Sequence, residues 1–150
     1  MTQSNGGTRT YLLVAAEEPY EAAAALSRLS APPDLCVRSP SWQAHFTADV
    51  VFHGRYVRMI DEPLLARRRS GESEGDYAWR CADALRRLYA LDVKKAFVIF
   101  DTYVDTVRRP LLLDERALLG LAETVDRDMS TEGNRRSSKR APDQLAGKQP

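Results

Sequence analysis

The chain has 150 residues, of which 43% are hydrophobic and 29% charged, and its net charge is +1. That length supports one domain with a real core, and a near-neutral balance does not suit a dedicated nucleic-acid binder. Two cysteines, Cys36 and Cys81, make no disulfide framework, and no apolar run approaches the roughly 20 residues needed to span a bilayer, so a cytoplasmic chain with reduced thiols and no membrane partner is expected.

Residues 1–9 are polar and glycine-containing and are expected to be disordered. Tyr11 to Ala15 (YLLVA) is the short apolar run of a buried parallel strand. Pro19 suits the first turn of a helix, which EAAAALSRL continues with Ala22, Ala25, Leu26 and Leu29 on one face. Ala31-Pro32-Pro33 stops it, and Leu35 to Arg38 reads as a second strand, ended by Ser39-Pro40. Residues 41–53 fit both a strand, through Phe46, Ala48 and Val50, and a helix, through Ala44, Ala48 and Val51.

Arg55 to Ile60 alternates as a strand does, and residues 66–75 form a charged, flexible connection. Residues 76–91 form the clearest helix, with Asp76 as N-cap and Trp79, Ala82, Leu85 and Leu88 on one face. Ala96 to Phe100 is the most apolar strand, and Asp114 caps a last helix with Leu118, Leu119 and Ala122 facing inward. The folded domain is expected over residues 10–128. Residues 129–150 form a basic tail, with Arg135, Arg136, Lys139, Arg140 and Lys148, too polar to fold alone. Alternating strands and helices predict an α/β fold, a mainly parallel sheet flanked by helices.

The chain's few chemistry-bearing residues have plain readings. His45 and His53 are the only histidines and read as surface or partly packed residues. Cys36 and Cys81 read as buried small hydrophobes, and Trp42 and Trp79 as packing residues. The triple Arg67-Arg68-Arg69 is a solvated loop, or else a contact for an acidic or phosphorylated partner. Nucleic acid is not an expected partner, except for a weak contact through the basic tail.

Four segments carry a family resemblance. Leu13-Val14-Ala15-Ala16-Glu17-Glu18-Pro19 resembles a Leu-Val-Arg-His-Gly-Glu-Pro motif; Ser39-Pro40-Ser41-Trp42-Gln43-Ala44-His45-Phe46-Thr47-Ala48 resembles a Ser-Pro turn followed by Arg-Ala and Thr-Ala. Gly71-Glu72-Ser73, with Asp76 and Arg80, resembles a Gly-Glu-Ser signature that opens a helix, and Val98-Ile99-Phe100-Asp101-Thr102 resembles an apolar strand ending in Thr/Ser-His-Gly. Their order and spacing resemble the histidine phosphatase (phosphoglycerate mutase-like) superfamily. The resemblance covers about residues 10–105 and implies a helix after the Ser-Pro turn.

The resemblance also implies a site at Ala15, Ala16, Gln43 and Asp101, where the family has Arg, His, Arg and His. The family's first His is the nucleophile, because neutral imidazole offers a lone pair near pH 7. Ala16 has none. Ala15 and Gln43 remove the guanidinium charge that would clamp a phosphate. Asp101 would oppose one, since two unit charges about 4 Å apart interact by roughly 4 kcal/mol at an effective dielectric near 20. Glu17 adds a second anion, and the family's proton-donating Glu aligns near Arg67. The chain therefore reads as a catalytically inactive member with a binding or regulatory role toward a protein or small-molecule ligand. Pocket candidates are Glu17, Gln43 and Asp101, the latter two at degenerate positions, and neither metal nor cofactor is expected. The competing readings are a weak phosphomonoester hydrolase using substitute residues and an unrelated α/β interaction module.

Overall fold

The computed structural model describes residues 9–101 and 109–124. Five strands form one sheet: β1 (Thr10–Ala15), β2 (Leu35–Arg38), β3 (Met59–Asp61), β4 (Lys95–Phe100) and β5 (Leu111–Asp114). The helices are α1 (Pro19–Ala25), α2 (Trp42–Val51), α3 (Glu74–Ala90) and α4 at 115–124. Short 3-10 turns lie at Leu26–Arg28 and Pro63–Leu65. The strand order is β3-β2-β4-β1-β5, parallel except for β5, which runs antiparallel to β1. This is the expected α/β architecture.

The sheet is covered on both faces, which is why β1 and β4 are nearly continuous apolar runs. Side chains alternate across a strand. Tyr11, Leu13, Val37, Val98 and Phe100 therefore face α3, where Tyr77, Cys81, Leu85 and Leu88 pack with Leu118 of α4. Leu12, Val14, Cys36, Phe97 and Ile99 face the opposite layer, built from Ala22 and Ala25 of α1 and Ala44, Ala48 and Val51 of α2. The alanines thin the second layer and let both helices lie close to the sheet. Phe52 closes it edge-on to Phe97, with ring centroids 5.2 Å apart.

The ambiguous stretch 41–53 is helical, with Ser41 accepting from the Ala44 N–H as N-cap. The alternation at Arg55–Ile60 overstates its strand. Only Met59–Asp61 pairs, because β2 has just four residues and Cys36 meets Met59 at the first register step. Gly54, at φ 72°, turns the chain before it.

Helix α3 starts earlier than expected. Ser73, not Asp76, is its N-cap, its hydroxyl accepting from the Asp76 N–H. Trp79 does not join the buried face and is 50% exposed. Residues three apart rotate by about 300°, so a stripe drawn at 79, 82, 85 and 88 drifts around the helix, whereas 77, 81, 84, 85 and 88 keep to one side. Trp79 instead stacks on Arg86, its ring centre 5.0 Å from the guanidinium. Trp42, also expected to pack, is 77% exposed.

Strand β5 is absent from the sequence reading. Asp114 does cap α4, accepting from the Ala117 N–H. Arg9, assigned to the disordered terminus, donates to the Tyr89 carbonyl and lies near Asp92 and Glu115. The rest of that segment, at 1–8, and the basic tail at 129–150 lie outside the described residues.

Candidate functional site

The carboxyl ends of parallel strands are where open α/β sheets gather ligands. Here β1, β4 and β2 end side by side. Ala15 pairs with Phe100, the Ala16 N–H donates to the Phe100 carbonyl at 2.8 Å, and the Ser39 N–H donates to the Ile99 carbonyl at 2.9 Å. Position 16, position 101 and the Ser39-Pro40-Ser41 turn therefore occupy one edge, as the motif alignment requires.

Ala16 is not an open socket. It is 1% exposed and packs with the α1–α2 layer, and the Thr47 hydroxyl donates to its carbonyl at 2.8 Å. Ala15 is buried too. A shallow cleft lies beside it, lined by Val14, Ala15, Glu18, Glu21, Ala22, Arg109 and Pro110, with a cavity volume of about 10 Å³. That is far below the roughly 300 Å³ at which small-molecule sites begin.

Asp101 is buried, with its side chain only 2% exposed, and both its oxygens have partners. The Ser41 hydroxyl donates to Oδ1 at 2.7 Å, and Arg67 Nε donates to Oδ2 at 3.2 Å. Arg67 Nη2 also reaches Gln43 Oε1 at 3.4 Å. Gln43 and Asp101, chosen from the sequence, are thus joined by Arg67, which the sequence offered as part of a solvated loop or an acidic-partner contact and as the neighbourhood of the family's acid, but not as their partner. Glu17 is exposed on the turn after β1. The Asp101 oxygens are taken by Ser41 and Arg67, and not left to a joint carboxylate pocket with Glu17.

The electrostatic expectation changes accordingly. Asp101 is matched by a guanidinium, so it is not itself a bare negative charge that would repel an oxyanion. Arg67 is delivered by the 66–73 loop, and that loop is built rather than loose. Arg80 on α3 donates to the carbonyls of Leu64, Ala66 and Arg67 and to both oxygens of Glu72. Glu72 also accepts from the Arg69 N–H. The Arg80 hydrogen bonds, then that of Arg69, outweigh burial and hold the Glu72 carboxyl down to about 2.

The other candidates do not bond to Asp101, Arg67 or Gln43. His45 Nε2 sits 3.1 Å from Asp61 Oδ1, which also accepts from Arg38 Nε at 2.9 Å. Burial opposes ionisation of Asp61, but Arg38 and His45 outweigh it and keep the carboxyl below its ordinary range. His53 is exposed. Cys36 and Cys81 are buried, and burial pushes their thiols up to about 12 and about 11, far from nucleophilic thiolates. Among the described residues no group of three or more His, Cys, Asp or Glu is placed to hold a metal ion, and no helix is long and apolar enough to cross a membrane.

No family model matches the chain, and no curated protein matches it. Among solved structures it is similar to a candidate alpha-ribazole-5'-P phosphatase from Escherichia coli str. K-12 substr. MG1655. The TM-score is 0.52 at 12% identity, over 63% of this chain and 74% of that one. At that identity the likeness is one of fold alone, a mainly parallel five-stranded sheet flanked by helices.

Proposed function

We propose that this chain is a catalytically inactive histidine phosphatase-like domain that acts by binding. One observation carries the reading. At the strand edge where the phosphatase-like fold would place its chemistry, Asp101 is held by Ser41 and Arg67, and neither histidine bonds to it. A phosphohistidine needs a nitrogen lone pair at the edge, and Ala16 supplies a methyl group. Both histidines of the chain are otherwise placed, His45 bonded to Asp61 and His53 exposed.

Burial of Ala16 adds a second barrier. Restoring a histidine there inserts a ring into a filled position, and overpacking of that kind costs about 1–3 kcal/mol. Rebuilding Ala15→Arg, Ala16→His, Gln43→Arg and Asp101→His therefore calls for room in the α1–α2 layer as well as for the four side chains.

The test is a paired assay on the purified chain, for turnover of a generic phosphomonoester and for acid-labile phosphohistidine. Neither is expected. Turnover that is lost in Asp101→Asn or Glu17→Gln would show that substitute residues perform catalysis, and would overturn this reading.

A further inference from the structure

The Arg67–Asp101 pair is asymmetric in a way that bears on what the edge binds. Asp101 is fixed: it follows β4 directly, its side chain is 2% exposed, and the Ser41 hydroxyl locks Oδ1. Arg67 is the loose partner. Its side chain is 62% exposed, and its bonds to Asp101 and Gln43 measure 3.2 and 3.4 Å. Well-formed bonds between a charged donor and a carboxylate run about 2.7–2.9 Å.

The backbone that carries Arg67 does not depend on this side chain. Arg80 holds the carbonyls of Leu64, Ala66 and Arg67, and Glu72 closes the loop through Arg80 and the Arg69 N–H. The Arg67 side chain can therefore leave while its loop stays in place. Asp101 cannot follow it into water. What remains is a buried carboxylate with the Gln43 carbonyl oxygen beside it, two acceptors that one guanidinium already spans.

We propose that the Asp101 edge is a guanidinium-binding site, occupied in this structure by the chain's own Arg67 and open to an arginine side chain of a partner when Arg67 swings out. The proposal rests on the reading that this edge does not transfer phosphoryl groups, and it specifies what the edge binds instead. A planar fork spans Asp101 Oδ2 and Gln43 Oε1 together, which a compact ammonium does less well. The exposed face of Arg67 makes exchange with an incoming guanidinium a local event.

Methylguanidinium is the probe, at low millimolar concentration, with sodium chloride at equal ionic strength as control. Arg67→Ala should melt below the natural protein, because it leaves Asp101 without its cation. Methylguanidinium, but not sodium chloride, should raise its melting temperature, growing with the logarithm of probe concentration as a bound ligand requires. The double variant Arg67→Ala/Asp101→Asn should not respond. Equal responses of the single and double variants would overturn the site.

Should Arg67→Ala fail to fold, the natural protein still reports. Its Arg67 Nε–H resonance should move progressively as methylguanidinium is added and stay put with sodium chloride. A resonance unmoved throughout the titration would overturn exchangeability. The two readings fail separately. Phosphomonoester turnover would sink the inactive domain, whereas an inactive protein whose variant is not rescued would sink the cation site.

Discussion

Arg80 commits all five of its N–H donors to two elements, the carbonyls of the 64–67 segment and the Glu72 carboxylate. Its guanidinium also lies 5.0 Å from the centre of the Tyr77 ring. Such a nearly buried pair costs more to break on one side than it contributes as a pair, because the surviving charge is stranded. Glu72, held down to about 2 by Arg80 and Arg69, contributes stability fully above its ordinary value of 4.5 and loses it as pH falls toward 2. The stability gap between the natural chain and Glu72→Gln should therefore be widest near pH 7 and narrow below about 4.5. Urea unfolding at stepped pH measures it, and a gap that stays constant down to pH 2.5 would refute the assignment. At this scale the sequence was half legible. Motif spacing pointed to Gln43 and Asp101, but nothing local in Arg67-Arg68-Arg69 says which of the three reaches across to residue 101.

Helix α3 shows how elements carry more information than their apolar periodicity. Ser73-Glu74-Gly75-Asp76 has the Ser-x-x-acid spacing of a capping box, and the structure uses its first half, with Ser73 bonded to the Asp76 N–H. Reading Asp76 as the cap put the start too late. Ser73→Ala should cost about 1 kcal/mol of stability, the usual price of losing a side-chain cap. Asp76→Ala should cost less, since that carboxylate only favours the helix's positive end. Thermal unfolding of the two variants decides between the assignments, and a larger loss in Asp76→Ala would reverse them. Strand β5 was hidden for a different reason. Leu111-Leu112-Leu113 does not alternate in sequence, although alternate residues are exposed in the sheet, and four residues flush against a capping Asp114 read as the approach to a helix. Strand β3 failed the opposite way: alternation ran from residue 55, but pairing length was set by the short partner β2.

Across the whole molecule, the layers and the strand edge were the readable part. Central strands β1, β2 and β4 are short apolar runs whose burial on both sides leaves little ambiguity, whereas α2 was ambiguous in its residue pattern and expected as a helix only through the family resemblance; its Ser41 cap emerged with the structure. Sheet order was not readable, because no local pattern says that β4 inserts between β1 and β2. That order has a bearing on how the chain is made. The earliest of the described strands has both of its neighbours late in the chain: Thr10 pairs with Lys95 on one side and with Asp114 on the other. Loop closure of this span must precede the contacts that reward it, which slows folding and prolongs exposure of apolar segments. Residues 10–15 and 35–38 are thus left without β4 between them during most of synthesis, as candidates for chaperone capture. Stalled nascent chains ending before β4 has emerged should be cut readily by protease within β1, and those in which β5 has cleared the exit tunnel should resist; protection already present in the shorter chains would mean that β1 finds its place before its neighbours exist.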